Sequence, residues 1–153
     1  MLFRSEWQID PPAYTGWPRE RNTGPQLRAL AGSRLQLFGK ASRPLAKVQL
    51  RDETGQRLLD PSAVRFSQDR LSFEVAAADD DAWIAENSTT VRVEVEDERG
   101  VSAEADHGVI VHVIPDAEPA VGLASKEFPA YVTPQAKLPL RIFVKDEIGR
   151  AHV

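Results

Sequence analysis

The sequence predicts an all-β fold: an antiparallel two-sheet sandwich followed by the start of a second β unit. Three observations carry that prediction. Apolar and polar residues alternate along several short segments, and turn-forming residues lie between those segments. No stretch sustains an apolar stripe at helical spacing. Successive side chains of a strand point to opposite faces, so each alternating segment buries one face and wets the other. Seven or so short strands over about a hundred residues are the pattern of immunoglobulin and fibronectin III-like sandwiches.

The segments follow in order. Leu35, Leu37 and Phe38 come after the turn signal Gly32-Ser33. Ala46, Val48 and Leu50 alternate with Lys47, Gln49 and Arg51, and Asp52–Gly55 then turns the chain into a short strand around 56–59. Leu71, Phe73 and Val75 alternate with Ser72 and Glu74. Asp79–Asp81 precede Ala82-Trp83-Ile84; acidic residues favour a helix start, so 79–86 reads as a short helical turn at a crossover between sheets. Val91, Val93 and Val95 alternate with Arg92, Glu94 and Glu96. Glu98-Arg99-Gly100 closes a hairpin onto Val101, Ala103 and Ala105, with glycine free to take positive φ. Val109–Ile114 is apolar except for His112, which marks a deeply buried strand or one whose outer face packs on a neighbour. Prolines 11, 12, 18, 25, 44 and 61 fall outside these runs, as ladder hydrogen bonding requires.

The sandwich is expected over 7–114. Residues 115–120 read as a linker, polar and marked by Pro115 and Pro119. The pattern restarts over 121–147, with Val121-Gly-Leu123 as an opening strand and Leu138, Leu140, Ile142 and Val144 as a second. Two strands cannot bury a sandwich face, so this unit is expected to be truncated and unstable alone. The last six residues, Ile148–Val153, spell IGRAHV, which ATC-GGA-AGA-GCA-CAC-GTC encodes. That string resembles a common short-read sequencing adapter. On that reading 148–153 is translated adapter and the chain is a fragment of a longer protein.

Composition narrows the function classes. The formal charge is −4 with Lys and Arg interspersed, which argues against the clustered basic face of a nucleic-acid binder. No apolar run is long enough to span a membrane, so no direct membrane contact is expected. The chain has no cysteine, which excludes disulfides, thiolate metal sites and cysteine nucleophiles.

One segment resembles a known family. Ile9-Asp-Pro-Pro-Ala-Tyr-Thr-Gly16 is similar to the PPAYTG opening of immunoglobulin-like repeats in large bacterial envelope proteins, among them planctomycete and DUF4175-type membrane-anchored proteins. Gly32–Leu37 and Pro44–Leu50 match the order of that family's next strands, and Leu138–Asp146 resembles its later "vpl.v.a.DDyG" strand. Glu147-Ile148-Gly149 matches the acidic-turn-glycine only in part. The resemblance implies a periplasmic or cell-envelope, membrane-tethered parent built of repeated sandwiches, with neighbouring modules of the same chain as partners. It implies no catalytic residues.

The residues themselves offer few sites. Trp7, Tyr14 and Trp17 flank the PPAYTG segment and are the candidate ligand ledge for a protein or glycan; their alternative role is to plug the sandwich end. Acidic residues at 79–81, at Glu94, Glu96, Asp97 and Glu98, and at Asp116 and Glu118 are of the type that holds Ca²⁺, but they read better as solvated faces and loops. His107 and His112 are an odd number of residues apart and face opposite sides of a regular strand; His152 lies in the adapter-like tail. No metal and no cofactor are expected. No G-x-S-x-G elbow is present, and no enzyme activity is expected. The function these features suggest is a non-catalytic structural or spacer module; the alternatives are a polysaccharide- or protein-binding module and an ancillary domain of an envelope enzyme.

Overall fold

The computed structural model describes residues 2–104, 108–124, 133–135, 137 and 141–145. They fall into two units, Met1–Pro115 and Asp116–Val153. Among the described residues there is no α-helix; the chain is all-β, with three single turns of 3-10 helix at Ala13–Thr15, Pro61–Ala63 and Asp79–Asp81.

The first unit holds two sheets. The first sheet contains β1 (Phe3–Asp10), β2 (Glu20–Asn22), β4 (Arg34–Ala41), β6 (Val64–Phe66), β7 (Ser72–Val75) and β8 (Trp83–Ile84). Its order is β2-β1-β4-β7-β6, and β8 pairs with β4 beyond the end of β7. The second sheet contains β3 (Gln26–Leu30), β5 (Leu45–Arg51), β9 (Thr89–Asp97), β10 (Ser102–Glu104) and β11 (Val109–Ile114). There β9 pairs with β5 over Arg92–Arg51 to Asp97–Leu45, with β10 over Glu94–Glu96, and with β11 over Thr89–Val91.

The two sheets enclose one core. From the first come Trp7, Ile9, Leu35, Leu37, Phe73 and Val75; from the second come Leu27, Leu45, Val48, Leu50, Val91, Val93, Val95 and Val111. Trp83 packs edge-on against Trp7, ring centroids 5.7 Å apart. Of the residues that alternation assigned inward on β5, β7, β9 and β11, Val48, Leu50, Phe73, Val75, Val91, Val93, Val95 and Val111 are buried and Ala46 is not. Arg92 is exposed and Glu94 and Glu96 are half-buried. At Gly39, opposite Phe73, a Cβ would lie 2.1 Å from the phenyl ring, so glycine makes room for the aromatic.

Several expectations need correction. The unit starts before residue 7, because β1 runs from Phe3 and pairs with β4 along its whole length. The sandwich is not wholly antiparallel: β3 runs parallel to β11, with Leu27 opposite Val111. Ala46 is exposed and Leu45 is buried in its place, because a bulge between Leu45 and Lys47 shifts the alternation by one residue. A bulge puts two residues opposite one on the partner strand. Val101 precedes β10 and is exposed. Residues 56–59 form a single bridge, Arg57 to Arg51, rather than a strand. The strand Val109–Ile114 buries one face only; Ile110, His112 and Ile114 face out. The turn of 79–81 is a single 3-10 turn, and Trp83-Ile84 after it adds a short strand to β4.

The second unit is a two-stranded antiparallel hairpin, β12 (Ala120–Ala124) with β13 (Arg141–Lys145), Val121 opposite Val144. Val121, Ile142, Phe143 and Val144 are all more than half exposed. Leu138, Leu140, residues 146–147 and the adapter-like segment 148–153 lie outside the described residues.

Candidate functional site

The proposed ledge divides. Trp7 lies on the inward phase of β1, is 1% exposed, and therefore takes no part in a ledge: alternation along Phe3–Asp10 fixes it as core. Tyr14 and Trp17 stand out, 66% and 44% exposed. Their loop is held locally. The Thr15 hydroxyl donates to the Pro12 carbonyl at 2.7 Å and accepts from the Trp17 amide at 3.2 Å. Gly16 takes a left-handed φ of 64°, and Arg19 pairs with Asp10 behind it.

A larger concavity lies on the outer face of the first sheet. It encloses about 560 Å³ and is lined by Arg4, Glu6, Phe38, Lys40, Ser72 and Glu74, with Thr23 at its rim. The strand registers arrange these as two transverse rows. Glu6, Phe38 and Glu74 are directly opposite one another across β1, β4 and β7, and Arg4, Lys40 and Ser72 form the next row. In the row on the other side of Glu6 and Phe38, the Gln8 and Gln36 amides meet at 2.7 Å and are buried. Phe38 is half-buried in this otherwise polar face. Alternation would have found the position, since Phe38 is out of phase with Leu35 and Leu37; what stands beside it depends on pairing with β1 and β7, which local sequence does not reveal.

A smaller recess of about 210 Å³ is lined by Arg43, Pro44, Asp97, Glu98 and Arg99. Asp97 is 2% exposed. Its Oδ1 accepts from the Val101 amide at 2.8 Å and the Arg99 amide at 2.9 Å, and its Oδ2 lies 3.6 Å from Arg43 Nη1. The Val101 amide, ahead of the Arg99 amide and Arg43, holds this carboxyl below the usual aspartate value, against the opposing effect of burial. The same turn chemistry recurs. Asp52 is lowered chiefly by the Thr54 hydroxyl, Asp60 by the Ser62 amide and Asp69 by the Ser67 hydroxyl. These aspartates fasten loops by accepting from backbone two residues on.

Asp79 pairs with Arg34 at 2.7 Å and Glu94 with Arg51 at 3.0 Å. Among the described residues no group of three or more His, Asp or Glu side chains is placed to hold a metal ion. His112 faces solvent on β11, and His107 and His152 lie outside the described residues. No helix among the described residues is long and apolar enough to cross a membrane. No protein-family model matches the chain, and no curated protein matches it.

Proposed function

We propose that the chain is a piece of a modular protein in which immunoglobulin-like β units follow one another and act as structural spacers. The observation that carries this reading is a sandwich with its own core within Met1–Pro115, followed by a second β unit. The strand orders β1-β4-β7-β6 and β5-β9-β11 support the immunoglobulin-like reading, because sandwiches of that type order their strands ABED and CFG. The PPAYTG segment and its resemblance to envelope-protein repeats add a periplasmic, membrane-tethered parent to the proposal. Its partners on this reading are the adjoining modules, and it performs no chemistry of its own.

Exposed Tyr14 and Trp17 support a second reading, a module that holds a glycan or protein. Aromatic side chains carry much of the energy where such surfaces bind. A glycan and peptide array probed with the chain and with a Tyr14→Ala/Trp17→Ala variant separates the two. The spacer reading expects no retention that depends on these aromatics. Retention lost in the variant, with an unchanged melt, would replace it by the binding reading.

A further inference from the structure

The groove on the outer face of the first sheet has the features of a ligand site. Residues directly opposite on neighbouring antiparallel strands have Cβ atoms about 5 Å apart, so Glu6 and Glu74 hold the positions on either side of Phe38. Arg4 and Lys40 are direct neighbours in the next row. The two rows are two residues apart along the strands, about 7 Å. Glu6 reaches Arg21 only at 3.8 Å, and Arg65 stands beyond Glu74 at the β6 edge. Among the described residues Arg4, Lys40 and Glu74 make no ion pair and no side-chain hydrogen bond. Charges of both signs thus line one concavity around a half-buried aromatic, and of them only Glu6 has an ion-pair partner, Arg21.

A ligand that fits must be a cation at one end and an anion at the other. The face of an aromatic ring attracts an ammonium group, and here the two carboxylates add to that attraction. The guanidinium and ammonium of Arg4 and Lys40 repel a second cation and attract a carboxylate. The span between the rows matches a short methylene chain, which can lie on Phe38. We propose that the groove binds a lysine-like zwitterion, an ω-amino acid with its ammonium between Glu6 and Glu74 and its carboxylate between Arg4 and Lys40. A free ω-amino acid and the terminal lysine of another protein carry the same pair of groups.

The test is a chemical-shift titration of the full chain with 6-aminohexanoate, with hexylamine and hexanoate as controls bearing one charge each. Saturable shifts at the Phe38, Lys40, Ser72 and Glu74 amides are expected, with each control binding about tenfold more weakly. Glu74→Gln and Lys40→Gln, both at exposed positions, should each weaken binding about tenfold without moving the melt. A peptide ending in lysine that binds while its C-terminal amide does not would identify a protein as the source; binding of 6-aminohexanoate alone would identify a free small molecule. Absence of saturable shifts with both, or equal affinity of hexylamine, would overturn the proposal. So would undiminished affinity in the two variants.

Discussion

The same period-two alternation produces opposite results in the two units. In β9, Val91, Val93 and Val95 are at most 1% exposed; in β13, Ile142 and Val144 are 61% and 55% exposed. Both strands carry β-branched residues two apart, although β13 has Phe143 between its pair where β9 has Arg92 and Glu94. What differs is the facing sheet. β9 sits in a sheet that packs through one shared core with another, whereas β12 and β13 pair only with each other among the described residues. Alternation therefore encodes readiness to be buried, and burial itself comes from long-range partners. Full burial of a large aliphatic side chain is worth about 1.5–3 kcal/mol, a gain that β9 realises and β13 does not.

Charge insertion should break this comparison most sharply. Val93→Asp places a carboxylate in the core with no partner, which costs several kcal/mol, and should abolish the cooperative unfolding transition followed by circular dichroism. Val144→Asp should shift the same transition by less than about 0.5 kcal/mol, as exposed substitutions do. The next largest effect is expected at Gly39. An alanine methyl there collides with the Phe73 ring, and overpacking of this kind costs about 1–3 kcal/mol. A denaturant titration should show that loss, and Gly39→Ala combined with Phe73→Leu should lose less than the two single changes summed.

Acid should act on the first unit through its turns. Asp52, Asp60, Asp69 and Asp97 all have native pKa values below the ordinary 3.8. Their ionised forms therefore stabilise the native state fully above pH 3.8, and that contribution is lost as pH falls through the lowered native values. Melting temperature should stay level on descent to about pH 4 and then drop. Asp97→Asn, which keeps an acceptor oxygen, should make that drop shallower. The smallest effect is expected from cutting the chain between the units. Limited proteolysis within 115–119 should leave the melt of the first unit unchanged.

Much of the sandwich was legible because its core strands obey simple alternation. Asp97 shows that the phase can outrank composition. It lies in a run of acidic residues that reads as a solvated face, yet it continues the inward series of Val91, Val93 and Val95 and is buried, its charge met by the Val101 and Arg99 amides. The bulge at Leu45 could not be read, because a register shift depends on the facing residues of β9. The parallel pairing of β3 with β11 was equally hidden, since Gln26–Leu30 and Val109–Ile114 are far apart in sequence. The ledge failed at Trp7 for a local reason: proximity to Tyr14 and Trp17 in sequence said nothing about the phase of β1. The groove around Phe38 needed the pairing of three strands.

Native-state amide hydrogen exchange on the whole chain tests the central contrast most directly. Amides of β9 that pair with β5 and β11 should exchange only through global unfolding, with protection equal to the full stability of the sandwich. Amides of Ile142–Val144 should exchange through local opening, with far less protection. Equal protection in β9 and β13 would show that the second hairpin has a core of its own and would contradict the account.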